Sequence, residues 1–259
     1  MSATPVVASL RSPASRTDWS LQTNPMSYLR LRRAQLIIVA FVISSLLFVQ
    51  FPALDLGISR LLFDGGFYLR GQWTILAHES VLYFLGLSLS AVVGLYFFNR
   101  IFGQKILGID GKKISYLFLV LILGAGLIVN GVFKDDFGRA RPRDIVEFGG
   151  SKHFTPAFVV SRECGRNCSF SSGDGAGAFF SLALALALSR KRAVLLCALA
   201  YGAVVSFSRV ASGAHFFSDS AVSFFVMLIS ADLLHHYLIL PEHERSPAAG
   251  WKATPALAD

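Results

Sequence analysis

Apolar residues along this chain gather in long blocks separated by short polar clusters. The blocks run over about 34–54, 75–98, 115–133, 173–188, 193–207 and 216–240. Crossing the hydrocarbon core of a bilayer takes ~20 mostly apolar residues in a helix. The first three blocks and the last meet that length. The block 173–188 is shorter and opens on Gly173, Gly175, Ala176, Gly177 and Ala178, small residues that let membrane helices approach closely. The pattern predicts an all-α polytopic membrane protein with six transmembrane helices in one domain, 34–240. Residues 1–33 are polar and carry Arg11, Arg16, Arg30, Arg32 and Arg33. No small-residue cleavage site follows a short apolar run there, so the segment reads as a cytoplasmic arm rather than a removable signal peptide. The Pro- and Ala-rich end, 241–259, reads as a cytoplasmic tail.

Composition agrees with the pattern. Of 259 residues, 54% are hydrophobic and 15% charged, which excludes intrinsic disorder and argues against a soluble globular domain. The formal net charge of +8 would suggest nucleic acid in a soluble protein. In a membrane protein it reads first as topology, because basic residues gather in cytoplasmic loops. No nucleic acid and no protein partner is implied. With the N-terminus inside, 14 of the 24 Lys and Arg fall on the cytoplasmic side, Arg190, Lys191 and Arg192 among them. Seven of the other ten fall in one outer segment, 134–170. That cluster breaks the topological rule, and an anion-binding site would account for it.

Three polar clusters stand at helix ends on that outer side. The first is Lys134-Asp135-Asp136-Phe137-Gly138-Arg139-Ala140-Arg141-Pro142. The second is Cys168-Ser169-Phe170-Ser171-Ser172-Gly173-Asp174-Gly175, which opens the fourth helix. The third is Ser208-Arg209, then His215 and Asp219. Together they suit phosphoryl chemistry. Lys134 and Arg141 are seven residues apart, so on a helix they share a face, which Pro142 then ends. Arg209 adds a planar fork that matches phosphate oxygens. A Ser cap at a helix start, Ser172 before Gly173, presents free N–H groups to an anion. His215 and Asp219 are spaced i,i+4, so a carboxylate there can hold one imidazole nitrogen and leave the other to attack phosphorus. Each cluster alone has a plainer reading: snorkelling cations, a packing step, an interfacial histidine. Their agreement in sidedness and spacing favours a site.

The arrangement K-x6-RP, a Ser-Gly centre and SR-x5-H-x3-D resembles the three-part signature of the type 2 phosphatidic acid phosphatases (PAP2), relatives of the vanadium haloperoxidases. Lys134, Arg141 and Pro142 match its first part, Ser172 and Gly173 its second, and Ser208, Arg209, His215 and Asp219 its third. The resemblance covers about 75–240. It implies a haloperoxidase-like helical bundle, no metal or other cofactor, and a phosphohistidine intermediate on His215. Lys134, Arg141, Ser172, Gly173 and Arg209 would bind phosphate, and Asp219 would orient His215. The second part departs from the family pattern: its proline and histidine are absent, and Asp174 stands where the family's acid histidine would be. Asp174 is therefore the candidate general acid, with His153 of the same outer segment as the substitute.

The expected activity is removal of phosphate from a lipid phosphate of the lipid A or phospholipid type, on the periplasmic face of a bacterial inner membrane. Undecaprenyl diphosphate hydrolysis, lipid phosphotransfer, and non-catalytic lipid-phosphate binding or transport are the alternatives. Cys164 and Cys168 sit in the outer segment, where an oxidising periplasm permits a disulfide. Two free thiols are the other reading. Cys197 is expected to pack inside a helix. His78 and Glu79 fall near the outer end of the second helix, either at the substrate entrance or at the interface without a role. His235 and His236 are expected at the inner interface.

Overall fold

The computed structural model describes residues 25–69, 71–134, 136–189 and 191–240. Most of the predicted cytoplasmic arm, the tail at 241–259, Arg70, Asp135 and Arg190 lie outside the described residues. Seven helices follow in order: α1 Pro25–Gln50, α2 Ala53–Leu61, α3 Gln72–Phe102, α4 Gly111–Lys134, α5 Gly173–Leu188, α6 Arg192–Ala211 and α7 Phe217–Ile239. The second part of α4, Val120–Lys134, is wound in the wider i→i+5 register.

Five of these helices, α1, α3, α4, α6 and α7, are long and apolar enough to cross a membrane. The expected sixth is α5, at 16 residues short of a full crossing. Its place explains its length and composition. From Gly175 to Ala187 every residue of α5 is buried, and it packs between α6, α7 and α4. Small side chains at its start let the neighbours close around it. The outer helices show the opposite pattern. Leu36, Ile43, Leu87, Phe97, Leu196 and Val204 are large, apolar and exposed, as a surface bathed in lipid requires.

Two boundaries differ from the hydropathy blocks. α1 is helical from the first described residue, Pro25, nine residues before the apolar block, and nothing after it breaks the helix. The block 34–54 splits at Pro52, giving the short helix α2. Two lesser expectations also change. Cys197 is exposed on the lipid-facing side of α6 instead of packed inside. His235 is buried, its ring 5.8 Å from that of Tyr116, rather than interfacial.

Alternation of the helices brings the end of α4 and of α6 to one side, together with the starts of α3, α5 and α7. The long segment between α4 and α5 folds over that side. Phe133, Phe137, Phe158 and Phe170 stack there at centroid distances from 5.0 to 6.3 Å and anchor it to the bundle. Cys164 and Cys168 are joined in a disulfide, with Cα atoms 5.6 Å apart, just before α5.

Candidate active site

Local backbone signals set each cluster at its helix end. Lys134 is the last residue of α4. The chain then turns through Gly138 at φ +57°, where any side chain would run into the backbone carbonyl of Ser161. Lys134 and Arg141 therefore do not share a helix, contrary to their seven-residue spacing. Arg141 is extended, as the residue before a proline prefers, and Pro142 starts a short turn instead of ending a helix.

Ser172 is the N-cap of α5, its hydroxyl accepting from the Gly175 N–H at 3.2 Å. The hydroxyl of Ser223 on α7 donates to the Ser172 carbonyl at 2.8 Å and ties the two helix starts together. Gly173 lies beneath Lys134: a Cβ there would sit 3.2 Å from Nζ and 2.9 Å from Asn130 Oδ1. A side chain there would push the Asn130 amide and the Lys134 amine aside.

His215 and Asp219 also part from the helical expectation. His215 precedes α7, and Asp219 lies in its first turn, accepting the Phe216 N–H at 2.8 Å. The imidazole Nδ1 is 2.7 Å from the carbonyl oxygen of Ser169 and 3.7 Å from Asp219 Oδ2. A carbonyl can only accept, so Nδ1 carries the hydrogen and Nε2 carries the lone pair. His215 is fully buried, and burial lowers its pKa to about 4. The charges of Arg141 and Lys134 push the same way, and Asp219 pulls against them. The ring is neutral at ordinary pH.

Asp219 in turn belongs to a buried network that sequence reasoning missed. Arg139 is 1% exposed. Its Nη1 donates to Asp219 Oδ1 at 2.6 Å and to Ser218 Oγ at 2.9 Å, its Nη2 to Asp55 Oδ2 at 2.8 Å, and its Nε to the Thr155 carbonyl at 2.8 Å. Its guanidinium lies 4.1 Å over the ring of Phe216. Asp55 on α2 also accepts from the backbone N–H and the hydroxyl of Ser218, and the Ser169 hydroxyl donates to Asp219. The residue whose carbonyl holds His215 is thus itself held by Asp219. A signal for Asp55 existed: a lone acid beside an apolar block is costly in a membrane and marks a partner.

The remaining cations face the same space. Arg141 is anchored by the Asn167 carbonyl, with Nη2 at 2.8 Å, and by the Ala214 carbonyl. Burial lowers its pKa, and the charges of Arg143 and Arg209 add to that effect. Arg209, at the end of α6, pairs through Nε with Asp174 Oδ2 at 3.0 Å. The other oxygen of Asp174 is 2.8 Å from His78 Nδ1 on α3. His153, by contrast, has an exposed ring, and its backbone N–H donates to Glu163 Oε2 at 2.9 Å. Glu79 is exposed beside His78. The structure therefore gathers Lys134, Arg141, Arg209, Ser172, Gly173 and His215 at one end of the bundle, with Asp219 beneath and Asp174 at the edge.

Known proteins are similar to part of this chain. The lipid A 4'-phosphatase of Francisella tularensis subsp. novicida is 36% identical over 139 residues, covering 52% of this chain and 63% of that protein. The lipid A 4'-phosphatase of Rhizobium leguminosarum is 34% identical over 120 residues, 46% of this chain and 52% of the relative. That of Rhizobium etli is 32% identical over 120 residues and 47% of its length is covered. The chain thus spans less than two thirds of each of these relatives. No solved structure matches. The model of the PAP2 superfamily matches residues 115–239, from α4 to the end of α7. Every candidate phosphate-binding residue, His215 and Asp219 lie inside that segment, over which this helical membrane protein is similar to the PAP2 superfamily.

Proposed function

We propose that the protein is a lipid phosphatase that removes a phosphate monoester from a lipid of the lipid A or phospholipid type, on the periplasmic face, through a phosphohistidine on His215. One observation carries the mechanism: the Nδ1–H of His215 is committed to the Ser169 carbonyl, which leaves Nε2 with its lone pair beside a cluster of three cations. Nε2 attacks phosphorus, the ester P–O bond breaks, and the departing alkoxide takes a proton. Water then cleaves the P–N bond and frees phosphate. Lys134, Arg141, Arg209 and the N–H groups at the start of α5 hold the phosphate oxygens as negative charge builds in the transition state. Asp219, 3.7 Å from Nδ1, steadies the positive charge that the ring gains.

A lipid substrate is supported by the surroundings. An apolar cavity of about 550 Å³ lies between α1, α2, α5, α6 and α7, with Phe179, Phe207, Phe224 and Val210 in its wall. Its wall is apolar enough to take hydrocarbon, and it includes Val210, the residue after Arg209. The three relatives, each described as a lipid A 4'-phosphatase, point the same way. The periplasmic placement is supported by the basic residues, 14 of 24 of which the helix order assigns to the opposite side.

Phosphate release from a panel of lipid monoesters and diphosphates, by purified protein in detergent, tests the reading. Release from lipid A or a phospholipid monoester, lost by several orders of magnitude in His215→Ala, is the expected result. Substantial release by His215→Ala would remove the covalent mechanism. Release from undecaprenyl diphosphate alone would replace the substrate.

A further inference from the structure

Breaking an alkyl phosphate monoester leaves an alkoxide, which needs a proton as it departs. The cation cluster cannot supply it without losing its hold on phosphate, and His215 Nε2 is spent on phosphorus. Asp174 is the nearest carboxyl to the cradle, but both its oxygens are engaged. One pairs with Arg209 Nε at 3.0 Å and the other with His78 Nδ1 at 2.8 Å. A carboxylate between a guanidinium and an imidazole N–H is held ionised and has no proton to give.

His78 is differently placed. It stands in the second turn of α3, outside the segment that the PAP2 family model matches. The first turn of α3 already touches the site, since Arg209 Nη1 is 3.5 Å from the Thr74 carbonyl. The His78 side chain is 52% exposed, so water reaches its ring at the mouth. Asp174, one residue from Gly173, fixes the ring through Nδ1 and leaves Nε2 for another partner. From this geometry we infer that His78 is the general acid of the reaction, and that Asp174 positions it. The inference rests on the phosphatase reading above.

The proton balance closes. In the first step the proton on Nε2 of the His78 imidazolium passes to the ester oxygen as the P–O bond breaks, while Nδ1–H stays with Asp174. Neutral His78 then takes a proton from the water that attacks the phosphohistidine, which restores the imidazolium. Asp174 keeps its charge throughout, balancing Arg209 and the cationic ring. The sequence Ser171-Ser172-Gly173-Asp174 thus keeps an acid imidazole at the site by borrowing it from another helix.

The test compares wild type, His78→Ala and His78→Gln on the lipid monoester that wild type hydrolyses best, with inorganic phosphate as competitive inhibitor. Glutamine keeps a hydrogen bond to Asp174 but transfers no proton. Both variants should lose about 10²- to 10⁴-fold in kcat, the usual worth of general acid catalysis. Inhibition by phosphate should be unchanged, and added imidazole should restore part of the lost turnover in His78→Ala. Near-normal turnover in either variant overturns the inference and leaves the phosphatase reading intact. Loss of turnover together with loss of phosphate inhibition, or without imidazole rescue, makes His78 a packing residue and overturns it equally. If wild type releases phosphate from no lipid monoester, the phosphatase reading fails and the inference falls with it.

Discussion

His215 is the residue on which the proposed chemistry turns, and its environment makes a prediction about pH. Burial holds its pKa at about 4 in the folded protein, against an ordinary 6.5. As pH falls below 6.5 the unfolded chain takes up a proton that the folded chain refuses until about 4. Stability is therefore undiminished by this group above 6.5 and falls as pH drops towards 4, by at most about 1.4 kcal/mol per pH unit. Unfolding of the purified protein in detergent at pH 7 and pH 5, beside His215→Asn, measures it. Wild type should lose more stability than the variant over that interval. Equal losses would mean that the ring is not buried neutral.

The helices and their junctions carry the site, and here sequence and structure part in instructive ways. Helix positions were legible because hydrocarbon thickness dictates their length, and α5 was legible as the short member through its glycines and alanines. The gathering of Lys134, Arg141 and Arg209 was expected from the sequence, since all three stand in polar clusters at helix ends predicted on one side of the bundle. The local geometry was not. A seven-residue spacing suggested one helix for Lys134 and Arg141, but Gly138 in a left-handed turn and Pro142 after Arg141 redirect the chain. The i,i+4 spacing suggested that Asp219 holds His215, whereas the Ser169 carbonyl, far away in sequence, does so. Arg139 looked like one more basic residue of a basic segment. Its buried partners, Asp55 and Asp219, come from α2 and α7 and are adjacent only after folding.

That network yields a prediction for the junction of α2 and α7. Asp55→Ala leaves a buried guanidinium with one carboxylate in place of two. Removing one partner of a buried ion pair costs about 3–5 kcal/mol. Thermal unfolding should show the loss, and turnover should fall as well, because Asp219 and Ser169 lose their fixed positions. Unchanged stability in Asp55→Ala would mean that the α2 contact is peripheral. A milder effect belongs to the α5 N-cap: Ser172→Ala should cost about 0.5–2 kcal/mol, with a larger proportional loss of turnover, since the cap shapes the phosphate cradle.

For the whole molecule, the helix order places the proposed catalytic end on one face and the Lys191 turn on the other. A cysteine introduced at Ser151, which is exposed, should react with an impermeant thiol reagent added to intact cells with a permeabilised outer membrane. One introduced at Lys191 should react only after the inner membrane is opened. The reverse pattern would put the site in the cytoplasm. The Cys164–Cys168 bond belongs to the same test of compartment: mass spectrometry of protein kept under non-reducing conditions should find the two cysteines linked, and two alkylated thiols would reject the bond. The account as a whole rests on a covalent bond between phosphorus and His215. Protein mixed with its lipid phosphate, quenched in alkali within one turnover, digested and analysed by mass spectrometry should carry an acid-labile phosphate on His215. Turnover of the same lipid with no phosphate on that histidine, at any quench time, would contradict it.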